Sequence, residues 1–190
     1  MKILTISGSL RAASSNSAVL DALPPLAPPG VEIVRYAGLG DLPHFNPDFD
    51  GDSPPESVVE FRRQVGEASG LILSSPEYAH GIAGTFKNGL DWLVRSLEFP
   101  DKPVALINAA PRATHADAQA LEILRTMSAR LIDEAMLTLP VQGSRLDAKG
   151  IAENEAFAAP LRTMPRIGSL DVTIGSITTP SSNCRRERST

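Results

Sequence analysis

The stretch KILTIS at Lys2–Ser7, followed by GSLRAASSN at Gly8–Asn16, decides the fold. The first six residues are nearly continuously apolar, as suits a strand covered on both faces of a sheet. Gly8 ends the run, and a short helix is expected from about Asn16 to Leu23, where Pro24 and Pro25 stop it. Further apolar runs stand at Val31–Tyr36, Gly70–Ser75, Pro103–Ala109 and Met136–Val141. Of these, Val31–Tyr36 alternates and reads as an edge strand. Helical spacing fills the gaps. Val58, Phe61, Val65 and Ala68 mark a helix over Ser57–Ser69, and Phe86, Leu90, Leu93, Val94 and Leu97 mark one over Thr85–Leu97. Leu121, Leu124, Met127 and Leu131 mark a helix over Ala116–Asp133, and a last one runs from about Ala152 to Met164, stopped by Pro165.

Strand and helix thus alternate five times. That predicts an α/β fold with a parallel sheet, helices on both faces and right-handed crossovers. Five strands of this kind suggest the flavodoxin-like order 2-1-3-4-5, in which ligands sit at the carboxyl ends of strands, at the switch point between strands 1 and 3. The loops after strands 1, 3 and 4 are therefore the candidate site. One domain is expected over residues 1–165, with a tail at 166–190 whose Leu170–Ile177 stretch could form an edge strand or an arm to a neighbouring subunit. The end, Arg185–Arg188, is expected to fray.

Composition narrows the function. Of 190 residues 42% are hydrophobic and 21% charged, the balance of a globular domain with a sizeable core. No window approaches the ~18 apolar residues of a membrane span, and the N-terminus lacks the long apolar region of a signal peptide, so a cytoplasmic location is expected. The single cysteine, Cys184, excludes an internal disulfide and a cysteine zinc site. A net charge of −4 argues against nucleic acid as a partner. The 16 prolines fall in loops and near helix ends.

The loop Gly8–Asn16 reads as a phosphate cradle. A turn feeding a helix N-terminus presents backbone N–H groups; Ser9, Ser14, Ser15 and Asn16 add short donors, and Arg11 adds a charge of bidentate geometry. The bland alternative is a helix cap beside a solvated arginine, but a cap needs only one such residue. Neither GKS/GKT nor G-x-G-x-x-G is present, so a monophosphate fits better than a pyrophosphate.

Strand 3 runs into SPEYAHGIAG (Ser75–Gly84) and then TFKNGLDW (Thr85–Trp92). With GSLRxxSxN after strand 1, the pattern SPEYxxGxxGxxKNxLDW resembles the NADPH-dependent FMN reductase family, flavodoxin-like flavin, quinone, chromate and azo-dye reductases. The resemblance implies that Ser9, Arg11, Ser14 and Asn16 hold the FMN phosphate and that Pro76, Glu77, Tyr78 and Ala79 line the isoalloxazine edge. Gly81 and Gly84 would let backbone approach a flat ring. Glu77 would act mainly through its backbone, with a solvated surface charge as its alternative. Lys87, Asn88, Asp91 and Trp92 would be structural. The resemblance further implies NADPH or NADH as co-substrate, with hydride passing through FMN to a quinone, azo dye, metal oxyanion or free flavin in a ping-pong cycle. A homodimer or homotetramer is implied as well.

The match weakens after strand 4. The family's Ser/Gly-rich stretch is replaced by Asn108–His115, where Ala110, Pro111 and Arg112 can still present backbone groups. Arg112 could meet the 2′-phosphate of NADPH or a carboxylated substrate, or stand solvated. A flavodoxin-like electron carrier docking to partner proteins is the rival reading; Arg11 and an aromatic content of 5% argue against it. A regulatory protein that has lost flavin is a third. Gly51-Asp52-Ser53 is misplaced for a hydrolase nucleophile, and His44, His80 and His115 are too scattered to suggest a metal site.

Overall fold

A computed structural model describes residues 1–164 and Ile167. The expected Leu170–Ile177 element, the Arg185–Arg188 end, Cys184 and the Pro165 stop lie outside these residues. In chain order the strands are β1 (Lys2–Ser7), β2 (Glu32–Tyr36), β3 (Gly70–Ser74), β4 (Glu77–Tyr78), β5 (Gly81–Ile82), β6 (Pro103–Asn108), β7 (Arg130–Leu131) and β8 (Leu137–Thr138). The helices are α1 (Ser15–Asp21), α2 (Glu56–Glu67), α3 (Gly84–Leu93), α4 (Thr114–Thr126), α5 (Ala148–Glu153) and α6 (Glu155–Leu161). None is long and apolar enough to cross a membrane.

The sheet runs β2-β1-β3-β6, all parallel, and the fifth position is shared by β7 and β8. This is the expected 2-1-3-4-5 order, with β2 at an edge. Alternation along β1 explains its apolar run. Ile3 joins the core under α1 with Val19, Leu20, Leu23, Ile72, Ile107, Ile151 and Leu161. Leu4 and Ile6 join the other layer, under α2 and α3, with Phe61, Leu71, Leu73, Phe86, Trp92 and Phe99. Each such fully buried side chain contributes about 1.5–3 kcal/mol of transfer free energy.

Four boundaries differ from the sequence reading, each for a visible reason. The helix expected over Ala116–Asp133 starts at Thr114 and stops at Thr126. Ser128 takes a left-handed backbone (φ +62°), its N–H donates to Arg125 O, and the Ala129 N–H donates to Leu124 O. That is a Schellman termination with serine where glycine usually signals the stop. Leu131 then pairs with Val104 as part of β7. The strand expected over Met136–Val141 shrinks to β8, because Met136 closes the 3-10 turn at Asp133–Ala135 and Pro140 has no N–H to carry the ladder past Leu139.

The helix expected to reach Leu97 ends at Leu93, leaving Val94 61% and Leu97 92% exposed. Here the Arg62 guanidinium takes the Trp92 carbonyl, with Nη2 at 2.6 Å, which withdraws it from the helical ladder. Finally, the single helix expected over Ala152–Met164 is two, α5 and α6. Asn154 ends the first, and its Oδ1 accepts the Ala156 N–H at 3.1 Å to start the second. Pro160 sits inside α6, next to its last residue.

Tyr36, at the carboxyl end of β2, packs its ring on Phe61 with centroids 4.6 Å apart. Burial, reinforced by the negative charge of Asp41 and Glu60, pushes its phenol up to about 12. The unfolded phenol titrates near 10, so the folded chain keeps its proton longer. The associated stability is complete below about pH 10 and is lost as pH climbs toward about 12. We expect Tyr36→Phe to be less sensitive than the parent across that window. Urea unfolding midpoints at matched alkaline pH measure it; parallel curves for the two proteins would remove Tyr36 as the cause.

Candidate active site

At the carboxyl ends of β1 and β3 the chain turns in opposite directions, and a groove of about 1420 Å³ opens between the loops. Gly8 makes the two loops meet. Its N–H donates to Ser74 O at 2.8 Å, and a Cβ there would come 2.8 Å from Ser75 Oγ and 2.9 Å from Phe86 Cβ. Thr85 Oγ1 donates to Gly8 O at 3.1 Å and fixes α3 against the same turn.

The loop after β1 is prearranged. Ser14 Oγ caps α1 by accepting the Ser17 N–H at 3.3 Å, and Ser9 Oγ accepts the Arg11 N–H at 3.4 Å. Both hydroxyls keep their own proton free to donate. The N–H groups of Ser15 and Asn16 open α1 and have no intrahelical acceptor. Arg11 is exposed on the groove rim. Asn16 is committed differently: its side chain lies 2.8 Å from the fully buried Ser74 Oγ, linking the loop to β3.

The loop after β3 is a hairpin, β4 against β5, with Tyr78 opposite Gly81. Ala79 (φ +50°) and His80 (φ +60°) form its two-residue tip, both left-handed, as a type I′ turn requires. Gly81 and Gly84, expected to let backbone approach a flat ring, take no positive φ; a Cβ at Gly81 would meet Gln119 Oε1 at 3.2 Å, and nothing crowds Gly84. Glu77 is not a solvated surface charge. Its Oε2 accepts the Ala116 N–H at 2.9 Å and so caps α4, whose own N-cap, Ala113, has no side chain to do so. Gln119 Oε1 accepts the Ile82 N–H at 2.8 Å. Two side-chain bonds thus clamp the hairpin to α4 and leave Tyr78, 53% exposed, on the groove wall.

The third loop is narrower in its possibilities than its sequence allows. Asn108 Oδ1 takes the Ala110 N–H at 2.9 Å, its Nδ2 donates to Ala113 O at 3.2 Å, and Pro111 has no N–H. Arg112 is left to present a backbone donor. The groove therefore gathers Ser9, Arg11, Ser14, Ser15, Asn16, Pro76, Glu77, Tyr78 and Ala110, whereas Ala79 and Gly81 fall outside its lining. Asn88 and Trp92 hold the preceding loop: Asn88 Oδ1 accepts the Phe45 N–H, and Trp92 Nε1 donates to Pro43 O at 2.8 Å. Lys87 pairs with Asp91 on α3.

The sequence reading missed three features. His80 and His115 are far apart in the chain yet stack, centroids 4.2 Å apart and planes 12° from parallel. Among the described residues no group of three or more metal-ligating side chains forms. Arg35 reaches the groove from β2, paired with Asp21 and donating to Ser17 Oγ at 2.9 Å. Gln142 and Arg145 reach it from the loop after β8. The carboxyl-end rule applies to that fifth strand too and could have found them.

The profile of the family described as NADPH-dependent FMN reductase matches residues 1–142. An NAD(P)H-dependent FMN reductase of Pseudomonas aeruginosa is 40% identical over 112 residues, covering 58% of this chain and 60% of that protein. A quinone reductase of Escherichia coli is 33% identical over 106 residues, 55% of each. The chain thus spans less than two thirds of these two relatives. A 2-hydroxy-1,4-benzoquinone reductase of a Burkholderia species is matched more fully, at 32% identity over 86% of this chain and 91% of that one. Among solved structures, the flavoenzyme NAD(P)H:(acceptor) oxidoreductase FerB of Paracoccus denitrificans superposes with a TM-score of 0.76 at 26% identity, covering 88% and 94% of the two chains. By motif, fold and profile together, the chain belongs to the NADPH-dependent FMN reductase family.

Proposed function

We propose that the groove binds FMN and that the protein is an NAD(P)H-dependent oxidoreductase whose acceptor is a small planar molecule of the quinone class. The observation that carries this reading is the groove at the switch point, into which a donor-rich loop with Arg11, a rigid hairpin edge and the third loop all open. The residues fit the group. Ser9, Arg11 and Ser14 would hold its phosphate, and the clamped hairpin around Pro76–Tyr78 would border its ring. When bound, FMN supplies hydride acceptance and onward electron transfer.

The chain's own part is positional. Ser9 and Ser14 would donate hydrogen bonds to the phosphate, and Arg11 would offset part of its charge. Glu77 and Gln119 hold the hairpin rigid, so Tyr78 presents a fixed wall against which nicotinamide and acceptor lie in turn. No side chain needs to act as acid or base. In this reading nicotinamide and acceptor use that wall in turn, which is a ping-pong order. The names of the relatives support quinones ahead of azo dyes, metal oxyanions or free flavin as acceptors.

Tyr78→Ala tests the reading. FMN affinity should stay within about tenfold of the parent, while kcat/KM for NAD(P)H or a quinone falls because ring positioning is lost. Stopped-flow reduction by NADPH reads both proteins. If the parent is not reduced directly by NADPH or NADH, the oxidoreductase reading fails and the electron carrier stands.

A further inference from the structure

Ser9 and Ser14, the hydroxyls proposed for the phosphate, stand near the two ends of the loop after β1, and each is tied to one member of a buried serine pair. Ser7, the last residue of β1, is 4% exposed, and Ser17, in the first turn of α1, is 6% exposed. Their Oγ atoms lie 3.0 Å apart. Ser7 Oγ accepts the Ser9 N–H at 3.3 Å, and the Ser17 N–H donates to Ser14 Oγ at 3.3 Å. The pair thus sets where both hydroxyls stand.

The pair is anchored from another strand. Arg35 lies opposite Thr5 in the β1–β2 register, on the face of the sheet that α1 covers, as does Ile33 two residues before it. Its guanidinium spans one turn of α1, with Nη1 on the Asp21 carboxylate and Nη2 on Ser17 Oγ at 2.9 Å. A guanidinium can only donate. Ser17 Oγ therefore accepts from Arg35 and donates its own hydrogen to Ser7 Oγ, and Ser7 in turn donates to Ser9 O at 3.5 Å. Arg35 gives this chain one direction, and the chain ends on Ser9 with both its N–H and its C=O engaged. With Arg35 35% and Asp21 41% exposed, their ion pair contributes little to the stability of the fold. What it fixes is the aim of the other arm of the fork.

We propose that Arg35 is a positioning residue for the cofactor: through Ser17 and Ser7 it holds Ser9 and Ser14 where a phosphate needs them, without touching the phosphate itself. This rests on the function proposed above. Without the guanidinium, the two buried hydroxyls are free to reverse their hydrogen bond. The loop must then be ordered when the phosphate arrives, which costs affinity. The loss falls on a flavin that carries a phosphate and spares one that does not.

The test titrates the full chain with FMN and with riboflavin, which lacks the phosphate, and reads flavin fluorescence. We expect Arg35→Met to raise the FMN dissociation constant about tenfold and to leave that of riboflavin within about twofold. Ser17→Ala should show the same FMN-selective loss. The Arg35→Met/Ser17→Ala double variant should lose no more than either alone, because the two residues act in series. In the flavin-free chain, amide hydrogen exchange over residues 9–17 should quicken in Arg35→Met. An equal loss for both flavins, or none for FMN, overturns the proposal. So do additive losses in the double variant, since Arg35 would then reach the phosphate directly. A parent chain that binds FMN no more tightly than riboflavin defeats the phosphate assignment of the proposed function instead, and the exchange measurement still decides whether Arg35 holds the loop.

Discussion

Asp50→Ala lowers the stability of the fold by about 3–5 kcal/mol. The Asp50 side chain is 2% exposed and its partner Arg62 15%, with Nη2 2.8 Å from Oδ1. Arg62 also holds the Trp92 carbonyl, and Arg95 Nη1 donates to the Asp50 carbonyl at 2.8 Å. These bonds tie the segment before α2 to α2 itself and to the end of α3. Removing the carboxylate strands a guanidinium in low dielectric, which costs more than the pair is worth intact. The double variant Asp50→Ala/Arg62→Met should therefore recover part of the loss, because it removes the orphaned charge as well. Urea unfolding of the two single variants and the double gives the coupling. A loss of less than ~1 kcal/mol for Asp50→Ala would mean that the pair behaves as a solvated surface bridge.

Arg11→Ala raises the FMN dissociation constant by roughly 10- to 150-fold, or about 1.5–3 kcal/mol. The effect is expected to be large because Arg11 is proposed to make a charge-assisted bond to the phosphate, and the other proposed donors, Ser9 and Ser14, are neutral. The melting temperature of the flavin-free protein should barely move, since Arg11 is exposed and has no carboxylate partner among the described residues. Fluorescence titration with FMN and a thermal melt read the two quantities separately. Unchanged FMN affinity would return Arg11 to an ordinary surface charge.

The central strands were legible because both of their faces are buried: β1, β3 and β6 lie within one residue of the apolar runs that announced them. The loop after β1 was legible as a donor-rich turn into a helix through its residue types. What escaped the sequence depends on contacts between distant residues. Serine at 128 carries no glycine signal for a helix stop, and nothing local says that Arg62 will take the Trp92 carbonyl. Glu77, read as acting through its backbone or as a solvated charge, shows its capping role only once α4 is seen to lack a side-chain cap of its own. The stacking of His80 on His115 likewise exists only once the hairpin and α4 are adjacent.

The split fifth position has a consequence for how copies of this chain can meet. An open sheet has two margins, and a long flat margin is a template for another chain's backbone. Here, within the described residues, one margin offers only the two-residue pieces β7 and β8, interrupted by the turn at Asp133–Ala135. The other margin, β2, carries charges at Glu32 and Arg35 along its five residues. Neither invites edge-to-edge zippering into fibrils. Within the described residues, these margins disfavour polymerisation through the sheet.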